Sequence, residues 1–178
     1  MRRILFLDFD GVINTYDMTR RDVDCVMIYD QATTDLYNTH MARNVERLCQ
    51  RYGLSIVISS SWREYYTRDE LEYILRYMGI TAELVGTTTI EHLDNTYRER
   101  QQQNMYALSR DRGMQISHWL EHNEDILDVE SYVVLDDNLY AEYGHEDCFL
   151  YCDRDIGFDD VAFARAIEIC DCVFAEVS

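Results

Sequence analysis

Three short runs of this chain are almost continuously apolar, and each stops on a polar side chain: residues 3–8 (RILFLD), 54–59 (LSIVIS) and 131–136 (SYVVLD). Strands of this kind have no solvent face, so helices must cover them on both sides, which is the habit of parallel sheets. The intervening stretches supply such helices. In 41–53, Val45, Leu48, Cys49 and Tyr52 recur at helical spacing before Gly53; in 68–79, Leu71, Ile74, Leu75 and Met78 do so before Gly79. Residues 114–122 and 159–170 read as two more helices, and 82–85 and 148–152 as two short strands. The expected fold is α/β, a Rossmann-like three-layer α/β/α arrangement with a mainly parallel sheet. Stretches 14–40 and 86–112 break the alternation and are expected as short cap-like insertions beside the site.

The length, 178 residues, suits a single domain spanning 1–178. Thirty-four acidic side chains face 16 basic ones, for a formal charge of −18. Such a surface repels a phosphate backbone, so broad binding to duplex nucleic acid or to an anionic membrane is not expected. A bound divalent cation can still invert the charge locally. No apolar run approaches the roughly 18 residues of a membrane span. The apolar start of the chain is cut by Asp8 and lacks a cleavage-site pattern, so a cytoplasmic protein is expected. The six cysteines do not form the framework of a short secreted chain.

Ligands of open α/β sheets bind beyond the carboxyl ends of the strands, and the chemistry-bearing residues sit there. The first run delivers Asp8-Phe9-Asp10-Gly11. Residues i and i+2 of a strand share a face, so Asp8 and Asp10 are expected to point together into a cleft with Phe9 turned inward. Gly11 lets the chain turn away. Two close carboxylates repel unless a cation lies between them, and Mg2+ with oxygen ligands resolves this. The third run ends in Asp136-Asp137-Asn138, which brings two more acids to the same edge. The second ends in Ser59-Ser60-Ser61-Trp62-Arg63, hydroxyls able to bond a phosphoryl oxygen. Arg112, just before the helix at 114, can balance the acids.

This ordered set resembles the haloacid dehalogenase-like superfamily of phosphotransferases over residues 3–140. Ile58 to Arg63, and Arg112-Gly113 with Ile116, Trp119 and Leu120, look more specifically like the phosphatase-type domain of multi-domain RNA-repair proteins. A more distant similarity is to the 3′-phosphatase domain of polynucleotide kinases. The resemblance implies a Mg2+-dependent phosphomonoester hydrolase working through an aspartyl-phosphate. Asp8 would be the nucleophile and Asp10 the general acid and base, with the Asp10 backbone carbonyl also on the metal. Ser59 or Ser60, Gly11 and Arg112 would surround the phosphate, and Asp8, Asp10, Asp136 and Asp137 the metal. Ser59 or Ser60 is preferred to Ser61 because the following turn begins near Trp62. The basic residue, Arg110 or Arg112, departs from the lysine usual in the superfamily; it supplies charge but no proton. The expected substrate is a phosphorylated small molecule, a nucleotide or a nucleic-acid end. The alternative is a catalytically silent phosphate-binding module on the same fold.

Other patterns point elsewhere. His118-Trp119-Leu120-Glu121-His122 fits an inverted zinc-protease motif, but Trp119 and Leu120 read as the buried side of an ordinary helix. Cys148 and Cys152 read as small apolar residues on one strand face rather than zinc ligands. The window 96–112, with Arg98, Arg100, Arg110 and Arg112, is the most basic and a candidate strand contact. Tyr97, Tyr106 and Trp62 are candidates for stacking on a base.

Overall fold

The computed structural model describes residues 1–15, 25–27, 36–88, 112–142 and 144–175. Its main sheet has the order β5-β4-β1-β6-β7, all parallel, from β1 (Arg2–Leu7), β4 (Leu54–Ile58), β5 (Leu84–Thr87), β6 (Val129–Asp136) and β7 (Phe149–Tyr151). A separate antiparallel pair, β2 (Cys25–Met27) and β3 (Leu36–Asn38), falls inside the stretch expected as the first insertion. The helices are α1 (Thr39–Tyr52), α2 (Arg68–Tyr77), α3 (Arg112–Leu127) and α4 (Asp160–Ala175). The expected three-layer α/β fold is the observed one.

Alternation along β1 shows how the layers form. Leu5 and Leu7 belong to a core with α1, α2 and α4, whereas Ile4 and Phe6 belong to one with α3. All four are fully buried, and each contributes about 1.5–3 kcal/mol of apolar transfer. Phe6 meets Trp119 of α3 and Tyr132 of β6 edge to face, at 5.4 and 5.7 Å. Local signals begin and end the helices. Asn38 Oδ1 accepts from His40 N and Met41 N at the start of α1, and Gly53, at φ +67, ends it in the left-handed conformation glycine adopts freely. Thr67 and Glu70 form a capping box on α2.

Several boundaries shift. The strand expected at 82–85 is Leu84–Thr87, and that at 148–152 is Phe149–Tyr151. The helix expected to begin at 114 starts at Arg112, so Arg112 lies in its first turn rather than before it. The closing helix runs on to Ala175, because Ala162, Ala166, Cys170 and Phe174 all face the core four residues apart. Most of the stretches expected as insertions, including Tyr97, Arg98, Arg100, Tyr106 and Arg110, lies outside the described residues. Among the described residues no helix is long and apolar enough to cross a membrane.

The register positions the site. Leu7 pairs with both Ile58 and Leu135, so β1, β4 and β6 end level. Backbone bonds continue that alignment: Asp8 N donates to Leu135 O at 3.1 Å, Ser59 N to Leu7 O at 3.0 Å, and Cys152 N to Asp136 O at 3.0 Å. Asp8, Ser59 and Asp136 therefore emerge on one edge, and the loop after β7 comes up beside them.

Candidate active site

A cleft of about 180 Å³ opens at that edge, lined by both acids of the first motif, by Asp137 and Asn138 after β6, and by Ser61, Arg112 and Arg154. Asp8 is buried beneath it, and Phe9 is fully inside the core, as the strand alternation requires. Asp8 Oδ1 accepts from Phe9 N at 2.8 Å. Asp8 Oδ2 pairs with Arg112 Nη1 at 2.7 Å, and the same nitrogen reaches Asp136 Oδ2 at 2.9 Å. Asp136 is wholly buried; its Oδ1 accepts from Asn138 N at 2.8 Å. Asp137 Oδ2 pairs with Arg154 Nη2 at 3.2 Å.

Oxygens of Asp8, Asp136 and Asp137 lie within 4.8 Å of one another. Among the described residues this is the only group of three or more His, Cys, Asp or Glu side chains close enough to share an ion. Its electrostatics suit a hard divalent cation. Burial pushes the Asp136 carboxyl up and Asp8 adds to the push, against the pull of Arg112. Burial and then Asp8 push Asp137 up to about 6, with Arg154 and Arg112 opposing. Burial alone would lower the Arg112 guanidinium, but Asp8 and Asp136 outweigh it and keep the group protonated. Counting Asp10, four carboxyl groups and the guanidiniums of Arg112 and Arg154 gather around the cleft. An all-oxygen set of this kind suits a hard divalent cation.

Of the four acids expected around one ion, Asp10 does not bring its carboxylate into this group, and its expected metal contact is through the main-chain carbonyl. Its carboxylate lies outside the three-acid group. Trp62 Nε1 donates to Asp10 Oδ2 at 3.0 Å, and Asn14 Nδ2 to Asp10 Oδ1 at 3.3 Å. Trp62 is buried against Phe9 rather than presented to a base. Gly11 also differs from its expected phosphate contact. Its N–H donates to Asn14 O at 2.6 Å, and a side chain there would collide with the Asp137 carboxylate. Gly11 is thus what lets Asp137 lie across the first motif.

The three serines sit in different settings, and Ser59 Oγ is buried without a hydrogen-bond partner among the described residues. Ser59 and Ser60 are fully buried; Ser60 Oγ accepts from Trp62 N at 3.4 Å and caps the 3-10 turn Ser61–Glu64. Ser61 is the serine that lines the cleft. Arg63 faces away from it, donating to Ser59 O, Ser60 O and Gln115 Oε1, each at 2.6 Å, and so ties the serine turn to α3. A buried histidine steadies the other side of α3: His145 Nε2 donates to Gly113 O at 2.9 Å, and Tyr132 OH donates to His145 Nδ1 at 2.9 Å. Sequence reasoning passed over Trp62 as an Asp10 partner, Asn14, and Arg154. Only the nearness of Asn14 to Asp10 left any local trace.

The competing metal patterns do not assemble. His118 and His122 stack on each other at 4.1 Å, and His122 Nδ1 donates to His118 O at 2.8 Å. Cys49, Cys152 and Cys170 are buried as free thiols, and burial pushes Cys170 up to about 12. They pack as small apolar groups.

A family model described as the HAD domain in Swiss Army Knife RNA repair proteins matches residues 4–163, from β1 into the first turn of α4. No curated protein and no solved structure matches the chain. With its parallel sheet carrying the DxD motif on the central strand and a second acidic pair on the next, the chain belongs to that family of HAD domains.

Proposed function

We propose that the protein is a Mg2+-dependent phosphomonoester hydrolase that works through an aspartyl-phosphate. The observation that carries this reading is the grouping of Asp8 with Asp136 and Asp137 beside a separately held Asp10. A nucleophile and a proton carrier need different surroundings, and these two carboxylates have them.

Asp8, Asp136 and Asp137 would hold Mg2+, which would supply the charge that lets a phosphate dianion approach an ionised carboxylate. An Asp8 oxygen attacks phosphorus in line, and the bond from phosphorus to the leaving oxygen breaks. Asp10 gives its proton to that leaving oxygen, then takes one from the water that attacks the acyl-phosphate. Phosphate departs and the Asp8 carboxylate is restored. Arg112 and the Ser61 hydroxyl stand where they can hold phosphoryl oxygens during both steps.

The preferred substrate is a terminal phosphate on a nucleic acid. The family description, which speaks of RNA repair, supports this. So does the small polar cleft, lined by Arg112, Arg154 and Ser61, which suits a phosphoryl group. The overall charge of −18 favours a grip on the end of a strand over a long contact with it.

The test is phosphate release with Mg2+ from 3′- and 5′-phosphorylated oligonucleotides, nucleoside monophosphates and sugar phosphates. Metal-dependent release from at least one class is expected, strongest for an oligonucleotide end, and Asp8→Asn should abolish it while the circular dichroism spectrum is unchanged. Normal turnover by that variant removes Asp8 as nucleophile. Background rates throughout, with phosphate still bound, identify a silent binding module.

A further inference from the structure

Arg112 stands in the first turn of α3, yet its Nη1 meets Asp8 Oδ2 past the end of β1 at 2.7 Å and Asp136 Oδ2 at the end of β6 at 2.9 Å. The first turn is where a helix is held least by its own hydrogen bonds. We propose that His145 is the positioning residue for Arg112: it clamps that turn to the loop after β6 and so sets the guanidinium between the two carboxylates. The inference rests on the phosphate-holding role given to Arg112 above and adds a residue that acts through it.

The clamp is a buried imidazole with a partner for each of its polar atoms. His145 N donates to Glu142 O at 2.7 Å, and His145 O accepts from Cys148 N at 3.0 Å and from Cys148 Sγ at 3.3 Å. Nε2 lies 2.9 Å from Gly113 O and 3.3 Å from Ser117 Oγ. A carbonyl only accepts, so the ring hydrogen sits on Nε2, and Nδ1 takes the hydrogen of Tyr132 OH at 2.9 Å. Tyr132 also meets the ring edge to face, at 5.6 Å and 79°. An apolar side chain would fill the same space and need no partners; a buried imidazole contributes there through its hydrogen bonds.

Both ends of this set of contacts belong to the site. On one side of His145 the chain runs back through the 3-10 turn Leu139–Glu142 to Asn138, Asp137 and Asp136. On the other side is Gly113, next in the chain to Arg112. Gly113 is buried and has no side chain to pack, so it is gripped by its carbonyl, which accepts from Ser117 Oγ at 3.1 Å as well as from His145. Arg63 Nη2 holds the same turn from the β4 side through Gln115 Oε1. An arginine has a long, many-jointed stem, so the place of its tip depends on where the main chain starts it. Misplacing such a group by about 1 Å costs up to about 100-fold.

The test is a double-mutant cycle, read as affinity for inorganic phosphate with Mg2+ present by calorimetric titration. With Arg112 in place, His145→Leu should weaken phosphate binding about 5-fold or more, and His145→Gln, whose amide nitrogen can reach Gly113 O, should regain most of that loss. In an Arg112→Gln background, His145→Leu should change the affinity less than about 2-fold, because the group it positions is gone. No loss with Arg112 in place, or an equal loss in both backgrounds, overturns the proposal. A second measurement needs no ligand. In a proton–nitrogen correlation spectrum, with the Arg112 Nε–H signal assigned by Arg112→Lys, His145→Leu should shift or broaden that signal and His145→Gln should leave it near its wild-type place; a signal unmoved by His145→Leu overturns the proposal. Where the thermal midpoint shows that His145→Leu is unfolded, Tyr132→Phe takes its place: it keeps the ring against His145 and should weaken phosphate binding about 2- to 3-fold only while Arg112 is present, and no effect overturns the proposal. Wild-type protein that binds phosphate but hydrolyses no ester overturns the phosphohydrolase reading alone; wild-type protein that binds no phosphate overturns both.

Discussion

Replacing Gly11 by alanine imposes two costs that another glycine of the same chain can separate. Gly11 turns at φ +78, a conformation that costs an alanine about 1–2 kcal/mol. An added Cβ would also collide with Asp137 Cγ and Oδ2 and lie 2.7 Å from Asp137 Cβ. Rotating the Asp137 side chain cannot relieve the last contact, because Cβ stays fixed when χ1 turns. The backbone after β6 must shift, and overpacking of this kind costs about 1–3 kcal/mol. The total for Gly11→Ala is about 2–5 kcal/mol. Gly53 has nearly the same backbone, φ +67, with nothing within 4 Å of its added Cβ. Gly53→Ala should therefore cost only the first part, about 1–2 kcal/mol. Urea denaturation of both variants, with and without Mg2+, is the assay. Wild type and Gly53→Ala should gain stability from the ion, by about 2.7 kcal/mol at a hundred times its dissociation constant. Gly11→Ala should gain little, because Asp137 has been displaced. Equal destabilisation of the two variants, with Mg2+ stabilising both alike, would refute the claim that Gly11 is kept for Asp137.

Two further outcomes follow from the arginines. Arg154 is exposed at the cleft rim and competes with a cation for Asp137; Arg154→Ala should change stability by less than about 1 kcal/mol and tighten Mg2+ binding about 2- to 5-fold by calorimetric titration, and an unchanged affinity contradicts the competition. Arg63→Met strips three short hydrogen bonds from Ser59 O, Ser60 O and Gln115 Oε1 and should cost about 2–4 kcal/mol in denaturant unfolding; a loss below about 1 kcal/mol means the turn is held some other way.

The central strands were legible because burial on both faces forces every position to be apolar, as in Ile4 to Leu7 and Val133 to Leu135. The acids that follow them were legible for a related reason: an apolar strand that ends abruptly on Asp marks the edge where the sheet stops. α4 outran its reading because its buried residues are partly small, and Ala162, Ala166 and Cys170 signal a face more weakly than leucines do. The pair β2–β3 has three residues per strand, too few for a period to show. The serine order depended on a turn. Pairing of Leu7 with Ile58 sets Ser59 level with Asp8 inside the protein, and only after the chain bends does a hydroxyl, that of Ser61, reach the cleft.

What local sequence does not encode is which acid stands apart. Asp8, Asp10, Asp136 and Asp137 are alike as residue types, and a motif predicts that all four converge. Asp10 instead accepts from Trp62 and Asn14, and the first of these lies 52 residues away, just past another strand's end. The parallel register brings those ends together, and only then does the indole N–H meet Asp10 Oδ2.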